Sequence, residues 1–173
     1  MKKIFLVLFF LALIFIVKNP LVLAASEDNL AKVEYNLPYP GFLPDSPLYF
    51  LKVARDNVVL AFIKDDKQKA FYRLFLSDKR LAAGQILFNA GQKKLGAVTV
   101  VKAQEYYSQA TDLTVKIKDS DLTAKMVVSG AKHEDVIREL LSKSDKNSVD
   151  NLQKALVNAQ NNRNRVMELL GLK

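Results

Sequence analysis

The sequence predicts an all-α protein: an antiparallel bundle of four to five helices, preceded by a signal peptide and a Pro-rich extended strap. Three observations predict it. Apolar residues recur every three or four positions through most of the chain beyond residue 47, and no stretch alternates with period two for long. Beyond residue 24, all four prolines fall within ten residues, at Pro38, Pro40, Pro44 and Pro47, so no proline interrupts the chain after residue 47. The 173 residues are half hydrophobic, with ten Phe and six Tyr. That is enough for one domain with a sizeable core, and it argues against disorder as the main state.

The N-terminus sets the expected compartment. Met1-Lys2-Lys3 is a short basic region, and Ile4 to Val17 is an unbroken apolar run that Lys18-Asn19-Pro20 interrupts. Leu21 to Ala25 then supplies small residues, with cleavage expected after Ala24 and Val22 at the −3 position. A spanning helix needs roughly 20 apolar residues, more than this run provides. An uncleaved N-terminal membrane anchor is the alternative. The expected product is extracytoplasmic, in the periplasm or at the cell surface. Removing residues 1–24 takes away Lys2, Lys3 and Lys18, so the formal charge of +8 falls to +5 over 149 residues. Export argues against nucleic acid as the partner. Without Cys, packing alone must hold an exported fold.

The domains expected are a signal peptide over 1–24, the strap over 25–46 and the bundle over 47–171. Leu37-Pro38-Tyr39-Pro40-Gly41-Phe42-Leu43-Pro44 reads as extended chain with a turn near Gly41. Its apolar residues are expected to cover the core. Ser46 as cap and Pro47 at the first position open a helix over 47–63, with Leu48, Leu51, Ala54/Arg55, Val58 and Phe62 as its stripe. Asp65-Asp66 caps a second helix over 66–90, on which Ala70, Phe71, Leu74, Leu81, Gln85 and Phe88 face the core, Asp78 lies beside them and Gly91 ends the helix. A third, over 95–118, carries Val100, Ala103, Tyr107, Ala110, Leu113 and Ile117. Ser120 caps a fourth over 121–142, with Leu122, Met126, Ser129, His133, Val136/Ile137 and Leu140 in series. Asn147 or Ser148 opens the last, over 148–170, with Leu152, Ala155/Leu156, Ala159, Arg163, Val166 and Leu169/Leu170, and Gly171 closes it. Short loops imply mostly antiparallel neighbours.

Helix statistics do not explain the run Leu43-Pro44-Asp45-Ser46-Pro47-Leu48-Tyr49-Phe50-Leu51-Lys52. It resembles the opening signature of a family of exported bacterial proteins, domain of unknown function 5667. Lys69-Ala70-Phe71 and Asp78-Lys79-Arg80-Leu81-Ala82 resemble that family's second block, so the resemblance covers about residues 42–110. Leu43, Pro44, Asp45, Ser46, Pro47, Leu48, Tyr49, Arg80 and Leu81 carry the signature. Many members have Pro where Phe50 stands, Ala where Ser77 stands and an acid where Ala83 stands, so nothing resting on that acid transfers. The resemblance implies an exported or membrane-attached helical domain and no activity. A single tetratricopeptide-like spacing of Gly84, Leu87, Val100 and Ala103 implies a helical hairpin, since a solenoid needs at least three units.

Catalytic templates fail in turn. There is no Cys, and His133 is the only imidazole. His133-Glu134-Asp135-Val136-Ile137 starts like a zincin helix but has Ile137 where the second His is needed, so His133 reads as a core or boundary residue. Ser129-Gly130-Ala131-Lys132 has Ser-x-x-Lys spacing without its companion motifs. Gly91-Gln92-Lys93-Lys94-Leu95-Gly96 has P-loop spacing, but Ala97-Val98 comes after it. No catalytic residue, cofactor or metal is expected. Basic residues gather at Lys67, Lys69, Arg73, Lys79, Arg80, Lys93 and Lys94. Of these, Lys79, Arg80, Lys93 and Lys94 are the candidates for contact with an anionic surface, the alternative being a face paired internally with the interleaved Asp65, Asp66 and Asp78. Arg163 is expected to reach Asp78 or Glu105. The leading expectation is a non-catalytic exported module that binds an envelope protein or an anionic cell-surface component. The alternatives are a periplasmic helical chaperone or stress sensor, or a hydrolase built on Glu105, Asp112 and Glu134.

Overall fold

A computed structural model describes residues 35–172. The signal peptide expected over 1–24, its cleavage site and the 25–34 part of the strap lie outside the described residues. Among the described residues five helices succeed one another: α1 Tyr49–Phe62, α2 Asp66–Asn89, α3 Lys93–Ile117, α4 Ser120–Ser142 and α5 Val149–Glu168. Among the described residues there is no strand. No described helix is long and apolar enough to cross a membrane.

The helix ends obey local chemistry. Asp65 accepts from the Gln68 amide at 2.8 Å and caps α2. Asp119, not the expected Ser120, caps α4 by accepting from the Leu122 amide at 2.9 Å. A carboxylate is the better acceptor for orphan amides at the positive end of a helix. Ser46 does not cap α1 directly. The helix starts two residues later than expected, and the Ser46 hydroxyl accepts from the Leu48 amide at 3.3 Å. Gly91 closes α2 with φ of +87°, while the Gln92 amide returns to the Leu87 carbonyl and the Gly91 amide to that of Phe88.

Helices α2 to α5 form the bundle. Antiparallel hairpins α2–α3 and α4–α5 lie side by side, with α3 against α5 and α2 against α4. Two apolar layers give the directions. One holds Leu81, Phe88, Ala97, Val100, Val136, Ile137, Leu140, Leu152 and Ala159. The other holds Ala70, Leu74, Tyr107, Ala110, Leu122, Met126 and Val166. Helices α2 and α4 run from the second layer to the first, and α3 and α5 run back, so α3 and α5 are parallel neighbours. The expectation of mostly antiparallel neighbours therefore holds within the hairpins only. Despite their short connection, α3 and α4 touch little.

The tightest seam joins α2 to α3. A Cβ on Gly84 would lie 2.6 Å from Val100 Cγ2, and one on Gly96 would lie 2.7 Å from the Phe88 amide nitrogen. Only glycine permits that backbone approach.

Helix α1 reverses its expected orientation. Leu48, Leu51, Val58 and Phe62, read from the sequence as a core stripe, are exposed, Phe62 by 80 %, and Phe50 is exposed with them. The buried residues of α1 are Lys52 and Asp56. Periodicity identifies a helix with two unlike faces but not which face turns inward. Here carbonyls of the preceding segment hold Lys52, and the neighbouring Arg55 holds Asp56. In that segment Leu37 packs on the first apolar layer, whereas Tyr39 is exposed by 82 % and covers nothing.

Candidate functional site

Two polar clusters stand out. The first lies midway along the bundle, between the apolar layers, where each helix supplies polar side chains: Ser77 and Asp78 from α2, Gln104 from α3, Ser129 and His133 from α4, and Asn162 from α5, all buried. Asp78 is the hub. Its Oδ1 accepts from Ser129 Oγ at 2.7 Å and from His133 Nε2 at 3.0 Å, and its Oδ2 accepts from the Tyr35 hydroxyl at 2.5 Å. Gln104 Nε2 lies 2.8 Å from His133 Nδ1. An imidazole protonated at Nε2 satisfies both contacts, donating to Asp78 and accepting from Gln104. Burial, reinforced by the Asp78 charge, pushes the Tyr35 hydroxyl well above its ordinary range.

Tyr107 stacks beside His133, with ring centres 5.1 Å apart, and donates to the Met126 carbonyl at 2.7 Å. Burial raises its hydroxyl strongly as well. The absence of a side chain at Gly130 leaves room for that hydroxyl. Every donor of this layer that faces Asp78 is spent on it, which suits a buried carboxylate that must replace water by hydrogen bonds.

The second cluster lies under α1. Lys52 Nζ donates to the carbonyls of Pro40 at 2.7 Å and Phe42 at 3.2 Å, fastening the helix to the segment before it. Burial, then the positive charges of Arg80 and Lys79, push its amine down to about 8. Asp56 is fully buried and accepts from its neighbour Arg55 at 2.7 Å. Arg80 is only 4 % exposed and lies 4.0 Å from the centre of the Tyr106 ring, a cation–π contact, and it also donates to the Tyr106 hydroxyl at 3.3 Å. Burial raises the Tyr49 hydroxyl, and the Arg80 charge opposes that rise. Tyr49 and Arg80, from the two sequence blocks, thus meet here.

A cavity of about 520 Å³ opens beside this cluster, lined by Tyr39, Pro40, Gly41, Phe42, Leu51, Lys52, Arg55 and Lys79. Three cations and no carboxylate line it. Its aromatic and aliphatic walls continue onto the outward face of α1, where Phe50, Leu51, Val58 and Phe62 are exposed.

The structure distributes the sequence candidates unevenly. Leu43 to Leu48 form the turn into α1, which Tyr49 opens; there the Ser46 amide bonds to the Leu43 carbonyl at 2.9 Å and Asp45 accepts from Gln92 on the α2–α3 turn at 2.8 Å. Leu81 is fully buried in the core. Of the four basic candidates, Lys79 lines the cavity while Arg80 is buried behind α1, out of reach of a surface. Lys93 and Lys94 begin α3, roughly 15 Å along the bundle from Lys79 at 1.5 Å per residue. Lys93 donates to the Lys143 carbonyl at 2.7 Å.

Arg163 meets neither Asp78 nor Glu105. It pairs with Glu134 at 3.3 Å, because α5 packs on α4 where Gly130 offers no side chain. The carboxylates named for a hydrolase sit apart: Glu134 holds Arg163 and Arg138, Asp112 pairs with Arg165 at 2.8 Å, and Glu105 is exposed. No group of three or more His, Asp or Glu among the described residues is placed to hold a metal ion. Sequence reasoning missed Lys52, Asp56, Tyr35 and Gln104. The only available signal was two opposite charges, Lys52 and Asp56, one turn apart in a helix whose other charge is Arg55.

These features define an all-helical bundle with a buried polar layer and a peripheral helix that turns Lys52 and Asp56 inward. The chain belongs to the family described as Domain of unknown function (DUF5667), which matches residues 41–170, well beyond the 42–110 covered by the sequence signature. No curated protein and no solved structure matches the chain.

Proposed function

We propose that the protein is a non-catalytic exported helical-bundle module that binds a protein partner or the cell-envelope surface. The observation that carries this reading is the outward apolar face of α1. A peripheral helix that buries Lys52 and Asp56 while exposing Phe50, Val58 and Phe62 inverts the usual preference. Contiguous exposed apolar surface of this kind marks interaction sites. Export rests on the sequence of residues 1–24, and the segment 25–46 is read as the strap after it. N-terminal sequencing with fractionation tests both. For the face itself, a photo-crosslinking residue in place of Phe62 should form adducts in envelope fractions, while the same residue in place of exposed Asn161 on α5 should not. Equal adducts at both positions, or none at either, would remove the reading.

The same face supports a second reading, a periplasmic helical chaperone or stress sensor. That activity would appear as suppression of aggregation of several unrelated unfolded proteins, and it should be lost with Phe50→Ser and Phe62→Ser.

A further inference from the structure

Resting on the binding-module reading, we infer that the α1 face docks on an anionic phospholipid bilayer, with a lipid phosphate between Lys52, Arg55 and Lys79 and with Phe50, Val58 and Phe62 in the headgroup–acyl boundary. Charge complementarity selects this occupant. The cavity presents three cations and no carboxylate, and a volume of about 520 Å³ suits a polar headgroup. Lys52 spends two N–H donors on the Pro40 and Phe42 carbonyls, and an ammonium group has a third.

Beside the cavity, the exposed strip of α1 runs through Phe50, Leu51, Ala54, Val58, Ala61 and Phe62, one face of the helix with no charged side chain on it. An amphipathic helix lying in a bilayer interface needs such a strip with cations at its edge, here Arg55 and Lys79. A second copy of the chain fits less well. A two-fold dimer through this face would set the same patch against itself and bring like charges together. An acidic protein groove would match the cations, but nothing on the strip offers the hydrogen bonds that fix a protein partner in register.

The chain has no Cys, so one introduced cysteine gives one label. Full-length Phe62→Cys carrying an environment-sensitive dye is titrated with vesicles of phosphatidylglycerol and phosphatidylcholine in equal parts, and with phosphatidylcholine alone. Asn161→Cys is the control. The dye at 62 should shift to the blue on anionic vesicles and be quenched by lipids brominated in the acyl chain, while the dye at 161 should not respond. Lys52 and Lys79 near an anionic surface, with the charge of Arg55 offset by its bond to Asp56, together amount to about thirtyfold in affinity. Lys79→Glu with Arg55→Glu, in the Phe62→Cys background, should therefore remove most of the response, as should about 0.5 M salt.

Equal shifts on neutral and anionic vesicles, or a response unaffected by the charge reversals, would overturn the inference. So would silence at 62 while the chain sediments with the vesicles. If the dye is silent on lipid but a crosslinker at 62 captures a protein, the lipid assignment fails and the module reading stands. If both are silent, both fail.

Discussion

Asp78 on α2 and His133 on α4 meet at 3.0 Å in the interior, 55 residues apart in sequence, with an apolar layer on either side. Because α2 and α4 are parallel neighbours from different hairpins, this contact sets the height at which the two hairpins dock. A slide by one helical turn would separate the carboxylate from its donors and leave them buried without partners. Such a layer acts against alternative registers that the apolar surfaces alone would tolerate, the best-attested use of buried polar groups.

Replacing the hub should therefore cost far more than its size suggests. Asp78→Ala leaves Tyr35, Ser129 and His133 without their acceptor, and should destabilise by about 3–5 kcal/mol. That corresponds to a drop in Tm of roughly 10–17 °C for a domain of this size. Urea unfolding of the variant beside the parent chain measures it. A loss below about 1 kcal/mol would show that the three donors find other partners.

Lys52 makes stability depend on pH in a definite direction. Its amine is held at about 8 in the folded chain against an ordinary 10.5. Between those values the unfolded chain binds the proton and the folded chain does not, so stability from this group rises with pH across the window, and the cost of burying its charge is complete once pH lies below about 8. Stability curves from pH 7 to 10 should lose this rising component in Lys52→Met. A ¹³C-methyl-lysine titration should show one resonance with a midpoint near 8, set apart from the others. Identical slopes in the two chains would contradict the assignment.

The α2–α3 seam should reject a single methyl group. In Gly96→Ala the new Cβ would fall 2.8 Å from the Gly84 carbonyl and 2.7 Å from the Phe88 amide nitrogen, backbone atoms that have no rotamer to escape by. Separating the helices should cost about 2–3 kcal/mol, although alanine is the better helix former. Equilibrium unfolding decides it. A gain in stability would mean that the two helices already stand further apart.

Much of this fold is legible in the sequence. All five helices lie within two residues of the spans that periodicity and capping residues indicate. His133 falls on the core stripe, where it is fully buried. The candidate site is far less legible. Asp78 reads as a residue beside a stripe because its three partners come from distant parts of the chain, Tyr35 before α1 and Ser129 with His133 on α4. The reversal of α1 is invisible for a related reason. Lys52 is buried against carbonyls of Pro40 and Phe42 and against the charge of Arg80, and those neighbours exist only once the chain has folded. Pairing across helices also redirects Arg163, whose partner is set by the geometry at Gly130 rather than by its own sequence neighbours.

The contact at Gly84 and Gly96 also bears on the order of folding. Its partners are twelve residues apart, joined by the turn at Ala90-Gly91-Gln92 that the Leu87 and Phe88 carbonyls close. Closing so short a loop costs little chain entropy, and local contacts of this kind form fastest. The α2–α3 hairpin is thus the natural nucleus. The link from Asp78 to His133 closes a loop of 55 residues and belongs to the later docking of one finished hairpin on the other.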